Sequence, residues 1–209
     1  MSTLTLVRHG QANFGGERYD LLSPHGEAQA RALGGHFTQH GAEFSRMHVG
    51  PRQRHLRTAE LACGSLDFVI DTNLDEFAEG EQILAMAPVA ESLQAQLQAY
   101  AGIAERWAMG AGQIDGVEPA AEFRARVGQW LANVTASPEA GQHVLAVTSA
   151  GVIAAAVAEV LALDGRNFFA LMRVIGNASV TRLSFAPGRV GLREFNATGH
   201  LPVALSSLI

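Results

Sequence analysis

Leu4-Thr5-Leu6-Val7-Arg8-His9-Gly10-Gln11 is the stretch on which the reading of this chain turns. Thr3 to Val7 is short, aliphatic and rich in β-forming residues, so it reads as a first strand. The strand stops at Arg8-His9-Gly10, where the composition switches to charge, imidazole and glycine. Working outward, Ser23-Pro24 supplies a helix N-cap followed by proline at the first helical position, and that helix runs towards His40, with Gly41 as its stop. A strand around Met47 to Val49 passes through Gly50-Pro51 into a helix ending near Gly64, and Phe68 to Ile70 forms another strand. Helical patterns over Pro88 to Trp107 and Pro119 to Val134 flank a looser, glycine-containing segment. A buried strand, Val144 to Val147, then feeds a buried helix, Gly151 to Leu163, and Ala178 to Phe185 and Val190 to Phe195 close the chain as β segments.

Strands alternating with helices imply an α/β fold: a three-layer α/β/α sandwich with a mostly parallel central sheet. The expected organisation is one domain over residues 1–209 with a helical cap insertion at about 78–120. In such folds ligands sit at the carboxyl ends of strands. Chemistry is therefore expected at Arg8-His9-Gly10 and at the turn Thr148-Ser149-Ala150-Gly151.

Composition narrows the function classes. The net charge of −5 argues against a general nucleic-acid-binding surface. All 15 basic residues are arginine. Without lysine there is no Walker-type phosphate loop, lysine Schiff base or kinase-type ion pair. The single cysteine, Cys63, excludes an internal disulfide and a multi-thiolate zinc site. The N-terminus lacks the pattern of a signal peptide, and Thr148, Ser149 and Glu159 interrupt the most apolar segment, so a cytoplasmic protein without a membrane span is expected.

By themselves, Arg8 and His9 would equally suit a surface arginine and a hydrogen-bonded histidine. Further segments in the same order carry a resemblance. Leu4 to Gln11 resembles the opening signature of the histidine phosphatase superfamily, the phosphoglycerate-mutase-like fold. Leu22-Ser23-Pro24-His25-Gly26-Glu27-Ala28-Gln29-Ala30 is similar to the family's next segment, and Gly50-Pro51-Arg52-Gln53-Arg54-His55-Leu56-Arg57-Thr58-Ala59 to the block carrying its second phosphate-binding arginine. Leu74-Asp75-Glu76-Phe77 resembles the segment bearing the family's acid; Glu118, Phe123 and Arg126-Val127 match the helix after the cap, and Asn196 with His200-Leu201 the close.

The resemblance implies a metal-independent phosphomonoesterase working through a phosphohistidine intermediate, with no cofactor and a small phosphorylated substrate or phosphate as its partner. His9 would be the nucleophile, Arg8 and Arg54 the phosphate clamp, and Glu76 the proton donor. The chemistry suits these residues. A neutral imidazole attacks phosphorus, and two guanidinium groups match phosphate oxygens at any relevant pH. The alternatives are a phosphoglycerate-mutase-type phosphotransferase and a non-catalytic phosphate-binding or interaction protein.

One position departs from the family. Where it carries Ser-His-Gly-Gly, this chain reads Thr148-Ser149-Ala150-Gly151, so Ser149 replaces a second histidine. A serine there would still contact phosphate, and Ser149→His is expected to raise turnover. Asn13 and Gln11 are further candidates for phosphate contact. Glu79 and Glu81 are rival acids in a charged loop. His48 and His55 are read as structural, with His55 a candidate for the pocket rim. His36 and His40, four apart on a helix, have zinc-compatible spacing but no evident third ligand.

Overall fold

The structure, a computed structural model, describes residues 1–13, 18–64, 67–78, 82–83, 86, 92–136 and 139–208. Among them, six strands form one sheet in the order β3-β2-β4-β1-β5-β6, with β1 Ser2–Arg8, β2 Arg46–Val49, β3 Val69–Ile70, β4 His143–Thr148, β5 Val180–Ala186 and β6 Arg189–Ala197. β1, β4, β2 and β3 run parallel, whereas β5 pairs antiparallel with β1 and β6 antiparallel with β5. The sheet is thus parallel on the side of the chemistry and antiparallel at the other edge.

Side chains on the central strands alternate between two apolar cores, as the two-residue period of a strand requires. Leu4, Leu6, Val144 and Ala146 enter one core, while Val7, Leu145 and Val147 enter the other. The second core is covered by helices α1 (Pro24–Gln39) and α2 (Gln53–Cys63), through Leu33, Phe37, Ala59 and Ala62. The first is covered by α3 (Leu93–Ala108), α4 (Ala120–Thr135), α5 (Ala150–Val160) and α6 (Gly165–Met172). α5 is buried along residues 151–158, which explains why its sequence is apolar all round and shows little amphipathic pattern.

The sequence-derived boundaries agree with these elements to within a few residues, except that the helix expected from Pro88 is described from Leu93 and that α6 was not anticipated. Part of the segment expected as a cap, residues 79–81, 84–85 and 87–91, lies outside the described residues, and Glu79 and Glu81 with it. Of that segment, α3 packs on α6. Its Trp107 stacks on Phe77 at 4.0 Å and donates from Nε1 to the Glu118 carbonyl at 2.9 Å. Arg126 on α4 donates to the carbonyls of Asn73 (2.6 Å) and Asp75 (3.2 Å) and pairs with Glu118. The loop that bears Glu76 is therefore held from both sides. No helix among the described residues is long and apolar enough to cross a membrane.

α1 and α2 approach closely at Gly34, where a Cβ would lie 2.9 Å from the carbonyl oxygens of Leu61 and Ala62; at Gly35 a Cβ would meet nothing within 4 Å. These adjacent glycines should therefore respond oppositely to alanine. Gly34→Ala should destabilise by about 1–3 kcal/mol through overpacking against backbone. Gly35→Ala should stabilise by roughly 0.5–1 kcal/mol, because it lowers the entropy cost of forming the helix. Thermal unfolding of the two variants, with Tm moving down for one and up for the other, checks this.

Candidate active site

His9 stands one residue past β1. Its N–H donates to the Thr148 carbonyl at 2.8 Å, extending the β1–β4 ladder in which Arg8 faces Thr148. The parallel register thus brings the two strand ends singled out in the sequence side by side. Gly10 continues the chain against α1: a Cβ there would lie 2.3 Å from the Gly26 carbonyl oxygen. The Gly10 N–H donates to Thr58 Oγ1 at 3.0 Å, and Thr58 Oγ1 donates to the Arg54 carbonyl at 2.7 Å, so the first turn of α2 is tied to the end of β1.

His9 is 5% exposed. Its Nδ1 lies 2.7 Å from the Gly10 carbonyl, which can only accept, so Nδ1 carries the ring hydrogen. Nε2 is left with its lone pair and accepts from Arg54 Nε at 3.3 Å. Burial, then the charges of Arg54, His55 and Arg8, hold the ring's pKa well below 6.5. His9 is therefore a neutral imidazole with its basic nitrogen turned to Arg54.

Arg54 is 2% exposed and donates to Asp20 at 2.7 Å, with its guanidinium 5.4 Å from the centroid of the Tyr19 ring. Asp20 also accepts from the Gln53 N–H at 2.9 Å, linking the start of α2 to the loop after β1. The neighbouring arginines point elsewhere: Arg52 pairs with Asp75, and Arg57 with Glu27 and Glu60. Arg8 donates from one terminal nitrogen to the carbonyls of Ile175 (2.5 Å) and Leu208 (2.8 Å). Its buried Nε has no hydrogen-bond partner among the described residues.

Glu76 accepts from the N–H groups of Gly151 (2.9 Å) and Phe77 (3.0 Å). Burial raises its pKa from 4.5, against the pull of those donors and of Arg54 and Arg8. A Cβ at residue 151 would lie 2.1 Å from Glu76 Oε1, so glycine at the start of α5 admits the carboxyl group.

Arg8, His9, Tyr19, Arg54, Glu76 and Ser149 share one cavity of about 800 Å³, with Phe77, Tyr100, Phe169, Met172 and Leu208 on its apolar wall. Asn13 is not among the lining residues; its backbone N–H donates to the Leu21 carbonyl at 2.8 Å. Gln11 is engaged in scaffolding, its N–H donating to Gln29 Oε1 at 2.8 Å and its side chain accepting from Ser23 at 2.9 Å. Tyr19, Asp20 and Tyr100 were not foreseen. A charged residue soon after His9 was the one available signal for Asp20, and nothing local distinguished it from other loop acids.

Ser149, 1% exposed, is the N-cap residue of α5, and its Oγ lies 2.6 Å from Nε2 of the fully buried His55. The His9 and His55 rings are 5.4 Å apart. His55 thus lies behind the wall, not at the rim. The gain expected for Ser149→His does not follow, because a second imidazole would compete for the volume that His55 occupies. His36, His40 and His200 cluster away from the cavity with ring spacings of 4.2 and 5.2 Å, and no group of three metal-ligating side chains is formed among the described residues.

Comparisons place the chain among known proteins. The model of the histidine phosphatase superfamily (branch 1) matches residues 4–198. Phosphoserine phosphatase from Entamoeba histolytica, in a variant solved with phosphoserine, superposes with a TM-score of 0.72 at 18% identity, covering 97% of this chain and 100% of that one. A mycobacterial glucosyl-3-phosphoglycerate phosphatase in complex with vanadate superposes with a TM-score of 0.67 at 27% identity, covering 94% and 99%. No curated protein sequence matches the chain.

The histidine environments predict how acid acts on the fold. His9, His36, His55 and His200 are all lowered from 6.5, by burial first. Below that pH the unfolded chain binds protons that the folded chain does not, so stability falls as pH falls. Glu76 works in the opposite sense, but four rings outweigh one carboxyl. Tm should therefore fall between pH 7 and pH 5.5. Nitrogen-15 spectra over this range should keep His9 neutral with its hydrogen on Nδ1.

Proposed function

The chain belongs to the histidine phosphatase superfamily, and from that membership we propose that it is a metal-independent phosphomonoesterase acting through a phosphohistidine on His9. One observation carries the reading: a buried, neutral His9, its hydrogen held on Nδ1 by the Gly10 carbonyl, presents Nε2 to Arg54 in a cavity that Arg8 also lines. The unpartnered Nε of Arg8 supports it, since a buried donor without an acceptor costs about 1–3 kcal/mol that a phosphoryl oxygen would offset.

In this mechanism the phosphoryl oxygens accept a hydrogen bond from the Nε–H of Arg8 and draw the Arg54 guanidinium off Nε2, freeing the lone pair. Nε2 bonds to phosphorus as the bond to the leaving alcohol breaks. Glu76, whose pKa burial raises, delivers its proton to the departing oxygen. The Gly10 carbonyl holds the Nδ1 hydrogen and steadies the charge on the phosphorylated ring. Water then attacks phosphorus, Glu76 takes the water's proton, and phosphate leaves with Nε2 restored. Charge stabilisation and positioning supply most of the catalysis, as phosphoryl transfer generally requires. Ser149, on the wall beside His9, adds a hydroxyl donor to the phosphoryl group. The apolar wall suits a phosphomonoester whose alcohol carries hydrophobic surface.

Phosphate release from an aryl phosphate should be abolished in His9→Ala, and brief exposure to substrate should leave an acid-labile phosphate on the peptide containing His9; labelling of another histidine would overturn the mechanism. Arg54→Ala should weaken vanadate binding about 10- to 100-fold, the worth of a charge-assisted hydrogen bond, whereas Arg57→Ala should change it less than about twofold. Glu76→Gln should slow an alkyl phosphate far more than a nitrophenyl ester, because a good leaving group needs little protonation. An equal loss on both would remove the acid role.

A further inference from the structure

Among the described residues, His55 is a fully buried titratable group behind the cavity wall that the mechanism above leaves unused. Imidazole is costly there: the residue is 0% exposed, so both ring nitrogens are withdrawn from water. An aliphatic side chain on this face of α2 would fill the space without that cost. The surroundings are instead cut to fit the ring. A Cβ at Gly50 would lie 2.3 Å from Nδ1, so the absence of a side chain at residue 50 makes room for it. On its other side, Nε2 meets Ser149 Oγ at 2.6 Å, a short contact between two side chains that are each at least 99% buried.

We infer that His55 is a positioning residue for the phosphoryl-transfer site: its Nε2 fixes the Ser149 hydroxyl, and the two side chains act on the phosphoryl group as one hydrogen-bonding unit. This deepens the phosphatase reading and rests on it. A serine hydroxyl has one hydrogen and a rotor that is free unless something holds it. With the ring hydrogen on Nε2, Ser149 Oγ accepts from His55 and its own hydrogen turns to the cavity that Ser149 lines. An anion in the cavity selects this arrangement, since phosphoryl oxygens attract the hydroxyl hydrogen and repel its lone pairs. The ring is kept neutral by burial and by Arg54 and Arg52, so it does not add a third permanent cation to the site. A pre-aimed hydroxyl acts where charge develops, so its loss falls on kcat and not on KM.

The test is aryl phosphate hydrolysis by the parent, His55→Leu, His55→Gln, Ser149→Ala and the His55→Leu/Ser149→Ala double variant. His55→Leu should lower kcat about tenfold with KM changed by less than about twofold. His55→Gln, whose amide N–H can reach Ser149, should recover most of that loss. The double variant should be no slower than Ser149→Ala alone, because His55 acts only through the hydroxyl. An unchanged kcat in His55→Leu, or losses that multiply in the double variant, overturns the inference. If His55→Leu does not fold by circular dichroism, imidazole nitrogen-15 spectra decide. Orthovanadate should shift the His55 Nε2 resonance in the parent and leave it unmoved in Ser149→Ala; equal shifts in both sink the coupling. A parent that binds orthovanadate, shows this Ser149-dependent shift, yet releases no phosphate would overturn the phosphatase reading and leave the His55–Ser149 coupling standing.

Discussion

The hydrogen bond from the His9 N–H to the Thr148 carbonyl is the constraint on which the rest of the site depends. It continues the parallel β1–β4 ladder one residue beyond the strand and thereby fixes which face His9 presents. Strand side chains alternate, so a slip of one residue would exchange the two faces of β1 and put Arg8 or Gly10 where His9 stands. That slip is opposed on both faces, because Leu4 and Leu6 are committed to one core and Val7 to the other. The apolar packing of the central strands therefore sets the geometry of the chemistry.

Around that anchor, the protein assembles cations while the His9 ring stays uncharged. Arg54 is answered by Asp20, and one terminal nitrogen of Arg8 by two backbone carbonyls. Both arginines then act on His9 in the same sense as burial, keeping the ring uncharged. One environment acts on neighbouring groups in opposite directions: burial lowers the pKa of His9 and raises that of Glu76. Enclosure thus moves both groups more than any single contact does.

Small residues shape the walls as much as the functional ones do. Gly151 admits the Glu76 carboxyl, Gly50 admits the His55 ring, and Gly10 lets the loop after β1 lie on α1. Each lies beside a residue of the site, and a single Cβ at any of them would meet atoms at under 3 Å. The same logic applies at Ser149, where the smaller side chain and the imidazole reaching in from α2 divide one volume between them.

Much of this was legible in the linear sequence. The aliphatic run ending at Arg8-His9-Gly10, the Ser23-Pro24 cap and the buried strand before Ser149 are local patterns, and local patterns of period and capping carry the α/β order without reference to the rest of the chain. Arg54 and Glu76 could be singled out by their place in motifs, as could the absence of histidine at residue 149. The eight residues of α6 were too few to show a helical period, and nothing local marks β5 and β6 as antiparallel, since direction belongs to a pair of strands. Asn13 looked apt by its closeness to His9 in the chain, but the backbone there turns towards Leu21 instead of lining the cavity. Asp20 became visible only beside Arg54, and His55 only beside Ser149, 94 residues away. Residue type and spacing determine which groups a chain can offer to chemistry. Which of them meet, in what tautomer and with what charge, depends on distances and burial that exist only once the strands have paired and water has been excluded.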